Sequence, residues 1–253
     1  MQIIDWGTLL YLLLLLVPMI YLQRFLQREI QAIFLLLTRQ PEISVALFSL
    51  LFFPGVLLHE VSHFLMARLL GVRTGRFSII PKKLEGGRLQ LGFVETAKTD
   101  FFRDALIGVA PLLTGGIFVA YAGVSRLGLN TLWLNLTQGQ LNAINQAILS
   151  IVVQPDFWLW FYLIFAVSST MLPSASDRRA WVPLLAVFLG LVALILLVGA
   201  GTWLLTRLGS TLMAAIDAVF MVFGITVIIH LILSPPMWLI RKIISRMVGL
   251  RVV

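Results

Sequence analysis

His59 and His63 stand four residues apart, with Glu60 directly after the first, inside an apolar run from Leu57 to Arg68. On an α-helix, residues four apart share a face, so the two imidazoles can offer nitrogens to one cation while Glu60 lies beside it. Such an H-E-x-x-H pattern is half of a catalytic zinc site together with its general base. A catalytic zinc takes three protein ligands and leaves its fourth position to water, whose pKa falls to about 7 on the metal. Glu60 is placed to take that water's proton. The chain has only three histidines, and two of them occupy this spacing. Three ionisable groups within five residues of an apolar helix are expensive in lipid, roughly 2.5–3.5 kcal/mol for each charge near the bilayer centre, and so call for a use.

The elements that must position these residues are membrane helices. The 253 residues are 60% hydrophobic and 12% charged, with a mean hydropathy of +1.00, a composition that excludes an ordinary soluble domain. Cysteine is absent, so there are no disulfides, thiolate ligands or cysteine nucleophile. The net charge of +8 sits beside hydrophobic segments and is read as membrane topology and contact with anionic lipid, with no nucleic-acid partner.

The pattern predicts an all-α polytopic protein of the cell membrane, a single integral membrane domain over 1–253. About six transmembrane helices are expected, near 9–22, 43–70, 105–124, 157–172, 181–205 and 212–233. The first is expected to be retained rather than cleaved, because no basic segment precedes it. Residues 23–40 read either as a surface amphipathic helix or as an extension of the first span, and 130–154 as a surface helix. Two-residue alternation on either side of the turn-forming Pro81–Gly87 predicts a β-hairpin over about 76–95. Pro54-Gly55, one turn before His59, predicts a kink. Pro235-Pro236 should end the sixth span, leaving a basic tail with Arg241, Lys242, Arg246 and Arg251.

With six spans, Arg68 to Arg103, Arg178, Arg179 and the tail share one side, opposite Arg24, Arg28, Arg39, Arg126 and Arg207. The richer side is expected to be cytoplasmic, with both termini there. His59 lies nine residues before Arg68, roughly 14 Å along a helix, so the site is expected within the membrane near its cytoplasmic face.

No third histidine follows at a short spacing, so the third ligand must come from Asp104, Asp177, Asp217 or His230. Asp177 ranks first, because it lies on the cytoplasmic side in a short break between spans. It is also a natural cap for the following helix, as Asp104 is for the third span, while Asp217 and His230 suit buried polar pairs.

The run His59-Glu60-x-x-His63-Phe64-Leu65-x-Ala67-Arg68-x-Leu70-Gly71-Val72, the β-like stretch after it, Gly108-x-Ala110-Pro111-Leu112, and Met171-Leu172-Pro173-x-x-x-Asp177 together resemble the site-2 protease family of intramembrane zinc metalloproteases. The likeness covers roughly 52–120 and 161–181. It implies His59, His63 and Asp177 as zinc ligands, Glu60 as base, and membrane-spanning or membrane-adjacent segments of other proteins as substrates. Three positions depart from the family's pattern: Arg178 follows Asp177 where glycine is usual, no asparagine precedes Leu172-Pro173, and Thr114 stands where asparagine is common. The hairpin either pairs with an unwound substrate strand or plugs the site's mouth. Two other functions fit the same residues: a membrane-embedded zinc peptidase trimming short peptides or soluble tails, and a non-catalytic binding or transport protein keeping a structural metal site.

Overall fold

The computed structural model describes residues 6–83 and 89–250. Asp5, Arg251 and the turn residues 84–88 of the expected hairpin lie outside them. The fold is built of helices: α1 (Trp6–Thr38), α2 (Pro41–Leu51), α3 (Phe53–Leu69), α4 (Phe101–Tyr121), α5 (Leu129–Thr137), α6 (Leu141–Val152), α7 (Phe157–Ser168), α8 (Trp181–Leu197) and α9 (Gly201–Val248). Three of these are long and apolar enough to cross a membrane, or up to five segments if each of two bent helix pairs counts as one span.

The differences from the expected spans have local causes. Residues 23–40 do not form a separate surface helix. Instead α1 runs unbroken for 33 residues through Pro18, with Gln23 and Glu29 turned inward and Arg24 and Arg28 outward. The expected second span is divided at Phe52 into α2 and α3, which meet at 73°. Pro54 falls in the first turn of α3, where a missing N–H costs nothing, so the break precedes it. Phe52 itself is fully buried, packed on Phe48 and Phe165 at 4.6 and 5.4 Å between ring centres. The expected fifth span is cut short where the backbone turns left-handed at Gly199. α9 does not stop at Pro235-Pro236, since it packs lengthwise against α1 and its later turns are held by the ion pair of Arg241 with Glu29. That pair also places Arg24 and Arg28 at the same end of the molecule as the basic tail rather than opposite it.

Between α3 and α4 the chain forms an antiparallel arm. β1 (Thr74–Ser78) pairs with β4 (Phe93–Thr96), and farther out β2 (Lys82–Lys83) pairs with β3 (Leu89–Gln90). This is the expected hairpin, seated on α3 through Phe77 against Phe64 at 6.1 Å. The main core lies where α1, α3, α4, α7 and α9 meet, around Met19, Leu26, Phe52, Val119, Ile164, Met171 and Ile229.

Candidate metal centre

α3 presents His59 and His63 on one face, and each ring is fixed by a backbone carbonyl. His59 Nδ1–H donates to the Thr170 carbonyl at 2.7 Å, and His63 Nδ1–H donates to the Ile107 carbonyl at 2.8 Å. Both acceptors are free for a structural reason. Thr170 lies just past the C-terminus of α7, where helix carbonyls have no partner in their own helix. Ile107 is four residues before Pro111, which has no N–H to return the α4 hydrogen bond.

With each Nδ1 carrying a proton, each neutral ring keeps its lone pair on Nε2. The two Nε2 atoms face one another at 3.2 Å. Asp177 completes the group, with Oδ1 3.6 Å from His63 Nε2 and Oδ2 3.8 Å from His59 Nε2. Three electron-pair donors converging this closely need a positive charge among them, a proton or a metal ion. One ligand atom from each residue lies within 4.8 Å of the others, close to the edges of about 3.3–3.6 Å of a zinc tetrahedron with ligands at about 2.0–2.2 Å. The three side chains are the cluster of metal-ligating type found among the described residues.

The Asp177 loop is built to hold this carboxylate. Ser174 N–H donates to Asp177 Oδ2 at 2.7 Å, and Asp177 N–H returns a bond to Ser174 Oγ at 3.3 Å. Burial pushes the Asp177 carboxyl upward, but the hydrogen bond from Ser174, together with His63 whenever that ring is protonated, outweighs it and holds the group well below the usual carboxylate range.

The chain matches no protein-family model, no curated protein and no solved structure. The metal reading therefore rests on the geometry of this chain.

The three side chains line one wall of a cavity of about 760 Å³, which Glu60, Asp104, Leu91, Leu172 and Arg179 also line. Glu60 is buried, and Gly92 at the foot of β4 lies against it: a Cβ there would come 2.6 Å from Glu60 Cγ. Bare glycines elsewhere let the helices come this close. A side chain at Gly108 would run into the Asp177 carbonyl, one at Gly55 into the Ala166 carbonyl, and one at Gly115 into Met171.

Of the other candidates for third ligand, Asp104 lines the cavity without joining the cluster, and Asp217 is exposed on α9. His230 is fully buried away from the cluster; its Nδ1–H donates to the Thr226 carbonyl and its Nε2 accepts from Ser169 Oγ at 3.0 Å. The Ser169 carbonyl in turn takes N–H groups from both Gln23 and Gln27 of α1. Thr114 bonds back to the Ala110 carbonyl of its own helix. Sequence reading missed Pro111 as the source of a free carbonyl, and it missed the four glycines. The first was visible as a proline four residues after Ile107; the glycines carried no signal of which neighbour they meet.

Proposed function

We propose that this chain is a zinc-dependent intramembrane endopeptidase acting on transmembrane or membrane-adjacent segments of other proteins. The observation that carries the reading is the convergence of two neutral imidazole nitrogens and a carboxylate, with a buried glutamate in the same cavity. His59, His63 and Asp177 would hold the metal, and the carbonyls of Thr170 and Ile107 orient the two rings. Bound zinc supplies Lewis acidity, lowering the pKa of water and polarising a peptide carbonyl. Glu60 takes the proton from the attacking water and passes it to the leaving amine. Val56, Leu91 and Leu172 give the cavity an apolar wall suited to a membrane segment, and Val94 and Thr96 of β4 line it too, where an unwound strand could lie alongside.

The test has two readouts. Detergent-purified protein should carry about one zinc per chain, lost in His59→Ala and in Asp177→Ala. Glu60→Gln should keep the zinc while cleavage of a membrane-embedded substrate disappears. A Glu60→Gln protein with undiminished biological activity would point instead to a structural metal site in a non-catalytic protein. Equal cleavage of soluble tails would favour the peptide-trimming reading.

A further inference from the structure

We infer that the outer face of α1 is a binding site for one anionic phospholipid, with Arg24 and Arg28 holding its phosphate and the preceding turns receiving its acyl chains. A groove of about 640 Å³ runs along this face, lined by Val17, Ile20, Tyr21, Arg24, Gln27, Arg28 and Gln31. Its residues change character along the helix in the order of a lipid's own parts. Leu10, Leu13, Leu14, Val17 and Tyr21 are all more than half exposed, a face that only hydrocarbon would cover. From Leu10 to Tyr21 is about 17 Å at 1.5 Å per residue, close to one leaflet of a core about 30 Å thick. Tyr21 then stands where aromatic residues mark the membrane interface. One turn later come two arginines four residues apart, both exposed, so their heads point the same way.

The two guanidinium groups are uncompensated. Among the described residues no carboxylate lies within ion-pair distance of either, and the one acid nearby on α1, Glu29, faces inward and is taken by Arg241. The neighbouring turns of α9 support the same level for the interface. Lys242, next to Arg241, stacks over Trp238 at 4.5 Å, a cation and an indole of the kind that sit at headgroup depth. A phosphate suits paired arginines because each guanidinium offers a planar fork of donors. Gln27 lines this groove and the metal-centre cavity alike, so the lipid would lie against the outer wall of that cavity.

The experiment is native mass spectrometry of the full chain in detergent, titrated with phosphatidylglycerol or phosphatidylcholine. Wild type should retain one phosphatidylglycerol. The double variant Arg24→Gln/Arg28→Gln should bind it about twenty-five-fold more weakly, about fivefold for each arginine, while phosphatidylcholine binds both proteins equally weakly. Arg24→Lys/Arg28→Lys keeps the charge, and most of the binding should return; this holds the test open if the glutamine variant folds poorly. Arg207→Gln, on the far part of α9, should change nothing. Equal retention of phosphatidylglycerol by wild type and both double variants would overturn the site. So would displacement of the lipid by inorganic phosphate or by an acidic peptide at matching concentration, since the occupant would then be a soluble anion.

Discussion

α8 and the cluster of α3, α4 and α7 are drawn from the same apolar vocabulary, and they do opposite things. α8 is 17 residues without a charged or hydrogen-bonding side chain except the indole of Trp181, and none of them is buried; only a stripe through Trp181, Leu184, Val192 and Ile195 is half-covered, so most of its circumference is left for lipid. α7 is almost as apolar and α4 carries few polar side chains, while α3 bears His59, Glu60, Ser62, His63 and Arg68; together they close on a buried site containing two histidines, a glutamate and a carboxylate. Side-chain hydropathy marks α3 but does not explain why α4 and α7 close on the site while α8 stands apart. What separates them is interruption of the helices' own hydrogen bonding, at Pro111 and at the end of α7, combined with glycines that let backbones touch. In lipid a free carbonyl is costly, so each one created must be answered, and here the answers are the histidine rings.

Glycine gives the largest contrast. Gly108→Ala drives a methyl group into the Asp177 backbone, which cannot step aside as a flexible side chain could. The expected cost is about 3 kcal/mol, at the upper end of the usual range for overpacking, together with loss of bound zinc because the Asp177 loop moves. Gly190→Ala in α8 meets nothing within 4 Å and should leave zinc content and melting temperature unchanged, within about 1 kcal/mol. Thermal melts with zinc analysis check both; equal effects of the two substitutions would remove the comparison. Proline gives the next. Pro111→Ala returns an N–H to the Ile107 carbonyl and so competes with His63 for it. Zinc affinity should fall about 10–100-fold while helix content is kept. Pro183→Ala, in the first turn of α8, should leave affinity as it was. An unaltered zinc affinity in Pro111→Ala would mean that the freed carbonyl does not set the ring.

This contrast also explains what the sequence could and could not tell. Helical periodicity showed which segments were apolar, and the spacing of His59 and His63 showed that their side chains share a face; Asp177 was reachable because few acids lie at the right depth. Two-residue alternation marked the hairpin, but Lys82 and Lys83, read as part of its turn, pair as strand β2. The breaks were less legible. Pro54 signalled a kink, but the packing of Phe52 between Phe48 and Phe165 decided where it fell. Pro235-Pro236 signalled an end that lengthwise packing on α1 overrode. The missing asparagine before Leu172-Pro173 directed attention to side chains, whereas the backbone carbonyls of Ser169 and Thr170 are what meet α1 and α3. Backbone groups are the same at every residue, so sequence reveals their use only where a proline or a helix end frees them.

The smallest effect separates the two helix starts. α4 begins with a charged cap: Asp100 accepts from the N–H groups of Phe102 and Arg103 at 3.1 and 3.0 Å. The Arg103 backbone N–H is the main reason its carboxyl lies below the ordinary value. Because the folded-state value is depressed, the stabilisation is fully present above the unfolded value of about 3.9 and disappears as pH falls through the folded one. α8 begins at Ala180 with no side-chain cap and has nothing there to titrate. Amide exchange, corrected for its intrinsic pH dependence, should therefore show the first turn of α4 losing protection below about pH 4 while the first turn of α8 does not change. Asp100→Asn should keep the α4 cap at neutral pH and remove the acid sensitivity. Acid loosening that persists in Asp100→Asn would move its cause elsewhere, with the Asp177 loop packed on Gly108 as the next group to test.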